Sequence, residues 1–370
     1  MGIESDFTLC PDESGSKLPE TGGGRKMKVF SHIYNKVISL ENLFQAWNEF
    51  KRGKRRKSDV GYFERHLEDN IFKLRNELIN KTYHHSVYTG FYIKDPKIRH
   101  IHKAMVRDRI VHHALFKVLT PIFEATFIAD SYSSRVDYGT HKGFEKLVTY
   151  ARKVSKNYTR DCWALKCDIK KFFHSLDHQI LLSIIKTKID DPEMVWLLKE
   201  LVESYETAPG KGVPIGNLTS QLFANIYLNK LDQFIKHQLK VKYYLRYADD
   251  FIILNENKNN CYYYIRILIN FLGNNLKLRL HPNKILIRKL SWGIDFVGYV
   301  VLPHHQVLRT KTKRRILKKI KEKINQYRSG QINLESLGQS TQSYFGILKH
   351  ANTYKLKQDL SNNIFFWLND

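Results

Sequence analysis

The sequence predicts an α+β fold, and three observations carry the prediction. Apolar residues recur at helical spacing in two early stretches, Leu40, Leu43, Phe44, Trp47 and Phe50, then Phe63, Leu67, Ile71, Leu74 and Leu78. Further on, Leu165, Cys167 and Ile169 alternate with Lys166 and Asp168, the period of a strand with its acid on the face opposite the apolar residues. Finally, the runs Tyr243-Tyr244-Leu245 and Phe251-Ile252-Ile253-Leu254 flank Asp249-Asp250 and read as two short buried strands with an acidic turn between them. Helices packed on an antiparallel sheet follow from these patterns.

A chain of 370 residues can bury a large core and divides into two or three lobes. Its 61 Lys and Arg against 36 Asp and Glu leave a formal charge of +25, which predicts a polyanionic partner through phosphate neutralisation. A membrane surface is the rival partner, but no apolar run approaches the roughly 20 residues of a spanning helix, so no membrane is expected. Cys10, Cys162, Cys167 and Cys261 are too few and too scattered for a disulfide framework, and Cys162 and Cys167 flank a core strand as buried thiols. The pairs His112-His113 and His304-His305 lack Cys partners at zinc spacing. The cytoplasm is the expected compartment.

Two adjacent carboxylates between buried strands are costly unless something positive neutralises them. Asp is common in turns, so a polar hairpin tip is the plain alternative. Hard divalent cations are the other, because Mg²⁺ takes a few carboxylate oxygens together with substrate phosphates. Asp168 supplies a third acid. If its strand lies beside the hairpin, three carboxylates converge, and two ions roughly 3.5–4 Å apart could clamp the attacking and leaving oxygens of an in-line phosphoryl displacement.

Asp168 followed by Phe172-Phe173, and then Tyr247-Ala248-Asp249-Asp250, resemble motifs A and C of reverse transcriptases. Between them Gly212-Val213-Pro214-Ile215-Gly216-Asn217-Leu218-Thr219-Ser220-Gln221, running into Leu222 to Leu228, resembles motif B. The resemblance covers roughly residues 90 to 300, in the family's order. It implies a right-hand polymerase fold: fingers over 91–160, a palm with an antiparallel sheet over 161–300, and a helical thumb over 301–370. It also implies RNA-directed DNA synthesis from dNTPs. Asp168, Asp249, Asp250 and the backbone carbonyl of Ile169 would hold two Mg²⁺ ions, with Mn²⁺ as a substitute.

Taken in order, residues 1–26 read as an appended, disordered leader. Leu18-Pro19-Glu20-Thr21-Gly22 resembles a sortase recognition sequence, and Met27 is the expected native start. Residues 27–90 read as a helical, basic extension. Its run Lys51 to Lys57 is either a solvated loop or a grip on template RNA, with Lys54, Arg55 and Arg56 as candidates. Asp95-Pro96-Lys97 should turn between two strands, bringing Lys97 and Arg99 to their junction. By resemblance Arg99 and Lys97 reach the nucleotide triphosphate, Arg through its planar fork. A salt bridge is the alternative for Lys97. Met105 to Leu119 reads as a helix. The loop bearing Arg135 looks like the fingers segment of reverse transcriptases of the group II intron branch, which implies an approach to template and nucleotide.

In motif A the resemblance makes Phe173 the bulky residue under the sugar that rejects a 2′-hydroxyl. Asp177 reads as a helix cap. After motif C, Tyr262 to Leu276 is an apolar helix, and Leu278, Leu280, Ile285 and Ile287 read as strands. Lys284 stands where motif D places a lysine that could protonate the pyrophosphate leaving group. Ser291 to Tyr299 looks like the primer grip of motif E. From Lys311 to Tyr327 a helix buries Ile316, Ile320 and Ile324 and presents Lys313, Arg314 and Lys318 to an RNA–cDNA duplex. The remaining length leaves no room for an RNase H, endonuclease or integrase domain.

Motif B narrows the resemblance. Ile215-Gly216-Asn217-Leu218-Thr219-Ser220-Gln221 is most similar to reverse transcriptases of diversity-generating retroelements. In that family an apolar residue replaces the Gln that faithful enzymes hold against the incoming nucleotide, so pairing is checked less strictly. Ile215, Gly216 and Gln221 join the nucleotide-binding candidates. The family implies misincorporation opposite adenine of a template-repeat RNA and a small basic accessory protein oligomer as partner. A bacterial defence role and an inactive RNA-binding scaffold are the competing readings.

Overall fold

The structure is a computed structural model that describes residues 28–95 and 97–369. The leader, Cys10, Met27 and Pro96 lie outside the described residues. The helical start is α1 (Tyr34–Ile38), α2 (Leu40–Phe50), α3 (Ser58–Arg65) and α4 (Leu67–Ile79). Ser39 caps α2 by accepting from the Asn42 N–H, and the basic run 51–57 turns at Gly53, whose φ is +69°. An outer ribbon of β1 (Thr89–Ile93) and β2 (Arg99–Lys103) follows, paired Ile93 to Arg99 and Thr89 to Lys103.

Next come α5 (Val106–Glu124), α6 (Thr140–Val154), β3 (Trp163–Asp168), α7 (Phe172–Ser175), α8 (His178–Lys186), α9 (Pro192–Glu203) and α10 (Leu218–Gln233). Helix α5 runs beyond the expected Leu119, through Pro121. Asp177 caps α8 by accepting from Ile180 N–H, as its position suggested. Asp191 caps α9 and also takes the Ile33 and Tyr34 N–H groups, which fastens the N-terminal helices to the body.

The remainder is β4 (Tyr244–Tyr247), β5 (Asp250–Asn255), α11 (Lys258–Leu276), β6 (Leu286–Lys289), β7 (Ile294–Phe296), β8 (Tyr299–Leu302), β9 (His305–Leu308), α12 (Thr310–Arg328), α13 (Leu334–Leu348) and α14 (Tyr354–Asn369). Leu278 and Leu280 were expected in a strand. Leu280 makes only an isolated bridge to Ile169, because Pro282 lacks a donor and opens a 3₁₀ turn through Lys284. The three-stranded sheet β7–β8–β9 runs across the expected palm–thumb boundary at residue 300.

The central sheet has the order β4–β5–β3–β6 and is antiparallel throughout. One face, with Leu165, Cys167, Ile169, Phe251 and Ile253, packs on the core shared with α5, α8, α10 and α11. The other, with Ala164, Leu245, Ile252 and Leu254, packs against α6 and belongs to a second buried cluster that extends to the stripe Ile316, Ile320 and Ile324 of α12. Burial of such side chains contributes roughly 1.5–3 kcal/mol each. Among the described residues no helix is long and apolar enough to cross a membrane.

Candidate active site

Alternation along β3 sends Leu165 and Cys167 into the core and leaves Lys166 and Asp168 on the other face. The antiparallel register sets Asp168 directly opposite Asp250. Since β4 and β5 close through the pair Tyr247–Asp250, Ala248 and Asp249 form a two-residue turn. Ala248 holds φ at +54°, a left-handed conformation that a side chain disfavours and a tight hairpin demands. The Ile169 N–H donates to the Asp249 carbonyl at 3.2 Å, and the His281 N–H to the Asp168 carbonyl at 2.8 Å. Strand, turn and 3₁₀ segment thus meet at the three acids.

A buried network beneath the turn holds it in place. Arg246 is wholly buried on β4 and grips Asp232 of α10, Nε to Oδ1 at 2.8 Å and Nη2 to Oδ2 at 2.6 Å. Tyr244 donates to the same carboxylate at 2.6 Å. The remaining guanidinium nitrogen, Nη1, reaches the Ala248 carbonyl at 3.0 Å and Asn225 Oδ1 at 3.2 Å, while Asn225 donates to the Ser133 carbonyl. Sequence reasoning missed Arg246, Asp232 and Asn225. The available signal was a lone cation inside an apolar strand, since Arg is seldom fully buried without a partner.

Burial raises the Asp249 carboxyl, and the neighbouring Asp168 charge raises it further, while Lys284 and Arg99 draw it down. Burial pushes Asp250 up to about 6, against the pull of Lys166 and with the repulsion of Asp168 and Asp249. Lys284 Nζ pairs with Asp168 Oδ2 at 2.8 Å, and Lys166 Nζ with Asp250 Oδ2 at 3.3 Å. Asp250 Oδ1 is buried with no hydrogen-bond partner. Among the described residues no ready-made cluster of three His, Cys, Asp or Glu ligands is found, and lysines supply the positive charge. The residues nonetheless fit hard divalent cations: the side-chain donors are carboxylate oxygens, one of them, Asp250 Oδ1, is orphaned, and burial disfavours the charge of Asp249 and Asp250 until a cation answers it.

Other expected residues divide. Arg99 lies at the ribbon's start, close enough to act on Asp249. Lys97 is exposed beside the ribbon tip, where Asp95 meets Lys319 of α12 at 3.5 Å. Phe173 is half-buried against Phe172, and its carbonyl accepts from Val213 N–H at 2.8 Å, which joins motif A to motif B. Ile215 is half-buried, and its carbonyl accepts from His102 N–H. Gly216, at φ +112°, leaves no room for a Cβ, which would lie 2.7 Å from Ile101 Cγ2. Gly216 and Gln221 line a cleft of about 800 Å³ together with Lys54 and Arg109.

Arg135 is engaged within the protein. It was expected to approach template and nucleotide, but its side chain is buried, pairs with Glu124 at 2.7 Å and donates to the Ile128 and Ser131 carbonyls. Stacked 3.9 Å from the Tyr138 ring centre, it fastens a loop and commits most of its donors within the protein. Lys54 is likewise partly committed, donating to the Phe50 carbonyl at 2.9 Å over the Phe50 ring. Arg55 pairs with Glu64 at 3.1 Å, whereas Arg56, Lys313, Arg314 and Lys318 are exposed.

The profile of the reverse transcriptase (RNA-dependent DNA polymerase) family matches residues 93–301, more than half the chain. The protein belongs to this family of RNA-directed DNA polymerases, and its mixed helix-and-sheet architecture is the right-hand polymerase fold. Among particular relatives, it is similar to Protein YkfC of Escherichia coli, with 26% identity over 61% of this chain and 69% of that protein. It is also similar to the group II intron-encoded protein LtrA of Lactococcus lactis, with 25% identity over 80% of this chain and 60% of that protein. A putative COX1/OXI3 intron 2 protein of Saccharomyces cerevisiae shares 23% identity over 78% of this chain and 40% of its own length. Homologues of the chain thus include a group II intron-encoded protein. The matched region spans about three fifths of LtrA.

Proposed function

We propose that the chain extends a primer on an RNA template with dNTPs, using Asp168, Asp249 and Asp250 as the metal-binding acids. The observation that carries this is the cross-strand pairing of Asp168 with Asp250, with Asp249 in the adjoining turn. Bound divalent cations, Mg²⁺ or Mn²⁺, supply a lowered pKa for the primer 3′-hydroxyl and neutralisation of the triphosphate. The three acids and the Ile169 carbonyl would hold them. Lys284, which pairs with Asp168, would give a proton to departing pyrophosphate. Arg99, with Lys97 nearby, would grip the triphosphate, and Phe173 would exclude a 2′-hydroxyl by bulk. The exposed cations Lys313, Arg314 and Lys318 suit the phosphates of the RNA–cDNA duplex, and Arg55, Arg56 and the half-free Lys54 suit those of template RNA.

The finer reading is that of the error-prone enzyme of a diversity-generating retroelement, working in the cytoplasm with a small basic accessory protein. Ile215 supports it. An apolar side chain on a loop pinned to the ribbon by the His102 N–H has no polar atom to offer the nucleotide. Sequencing cDNA made by the purified chain from a defined RNA tests both levels. Errors concentrated opposite template adenine are expected. Uniformly rare errors would send the enzyme to a defence-associated or other role, and no extension at all would leave an RNA-binding scaffold.

A further inference from the structure

On the far side of motif A lies a cleft of about 670 Å³ that the proposed reaction does not use. Its walls carry Lys170, Lys171, Lys211, Lys277 and Arg279, with His174 between them. Of the five constant cations, Lys277 has a carboxylate partner, Asp177 at 2.9 Å. The other four have none among the described residues, and no acid lines the cleft. Like charges gathered in a concavity repel one another, and Asp177, the one carboxylate that Lys277 and Lys211 act on, offsets only part of that.

Lys277 ends α11, and its backbone N–H donates to the Leu272 carbonyl. Lys171 and Lys277 both hold left-handed conformations, φ +46° and +49°, which cost a side-chain-bearing residue about 1–2 kcal/mol each. The cleft also adjoins the acids. The Lys170 N–H donates to the Arg279 carbonyl at 2.9 Å, and two residues further along each strand the His281 N–H donates to the Asp168 carbonyl. Two residues of chain reach at most about 7 Å, so the cations sit just behind the catalytic strand end. Apart from His174 the walls hold no ring on which a base could stack, so the cleft suits phosphate rather than nucleobase.

We propose that this cleft is a second, polyphosphate-binding site that receives pyrophosphate leaving the active site or the triphosphate of an arriving nucleotide. The assignment of the acids beside it rests on the polymerase reading; the anion binding itself does not. Inorganic pyrophosphate is therefore titrated calorimetrically into the full chain without divalent metal, where the three acids offer it nothing. Binding is expected, weakened roughly tenfold or more in Lys211→Gln/Arg279→Gln and unchanged in Asp249→Asn. A single Lys171→Gln variant, read beside a melting curve, covers a double variant that folds poorly. Absent binding, or equal binding in all variants, overturns the proposal. So does a loss of RNA–DNA duplex affinity with pyrophosphate binding intact, which would give the cleft to a nucleic-acid backbone. Failed primer extension by the unaltered chain with pyrophosphate still bound would sink the polymerase reading and leave the anion site standing.

Discussion

Strands β4 and β5 are buried along their middles on both faces, whereas every residue of β1 is exposed and β2 is at best half-covered. Each pair makes an antiparallel hairpin, and each contributes to the site, yet they are held by different forces. The inner hairpin is locked from below by Arg246, whose guanidinium serves Asp232, Asn225 and the turn carbonyl at once. The outer ribbon is tied to the body along its partly exposed strand β2, by the His102 N–H to Ile215, Asn217 Nδ2 to the His102 carbonyl, Tyr205 to the His102 ring and Lys103 to Asp59. On the proposed reading, the groups that would meet a metal within tenths of an ångström sit on rigid elements, and those that would reach a changing substrate sit on a projecting one.

Removing the lock should have the largest effect. Arg246→Ala leaves Asp232 buried and unpaired, so stability should fall by about 3–5 kcal/mol in denaturant unfolding. Arg246→Lys keeps the charge but not the fork. Its kcat should fall roughly a hundredfold at nearly unchanged duplex affinity and nucleotide KM. A parallel rise in KM would mean that Arg246 is not a positioning residue.

Asp250 gives the next largest effect. Its carboxyl is raised to about 6 in the fold from an ordinary value of 3.8, so folding favours its protonated form. The group's stabilising contribution is complete below the ordinary value and is lost as pH climbs through about 6. Metal-free protein should therefore gain stability from this group on acidification from neutrality, and Asp250→Asn should flatten that gain and add roughly 1–3 kcal/mol at pH 7. Melting curves across pH would show it, and an unchanged profile in the Asn variant would contradict the burial argument.

On the outer ribbon, Arg99→Ala should raise the nucleotide KM roughly tenfold while leaving the melting temperature nearly in place, because beyond a weak pull on Asp249 it makes no ion pair with a buried group among the described residues. A fall in stability like that of Arg246→Ala would erase the contrast between the hairpins. The smallest effect belongs to Ala248→Gly. Relief of the left-handed turn offsets the added freedom of the unfolded chain, so stability should move by no more than about 1 kcal/mol, upward. A clear loss would show that the turn does not hold that conformation.

Much of this was legible in the residues. Period two at Leu165, Cys167 and Ile169 gave the face of Asp168, and the acid pair between apolar runs gave the hairpin. The stripe Ile316, Ile320 and Ile324 gave α12, and all three are buried. What sequence could not supply was partnership across distance. Arg135 looked available, but Glu124 and two carbonyls engage it, and no spacing rule foretells that. Arg246 was hidden for the converse reason, since its partner Asp232 lies on another element. The cation cleft draws on residues 170 to 279, which come together only once Lys170 bonds Arg279.

Primer extension on an RNA template with dNTPs and Mg²⁺, run for the unaltered chain and for Asp249→Ala, tests the three-acid centre most directly. Extension by the first and a loss of roughly a thousandfold or more in the second, with duplex affinity unchanged, is the predicted result. Full extension by Asp249→Ala would contradict it.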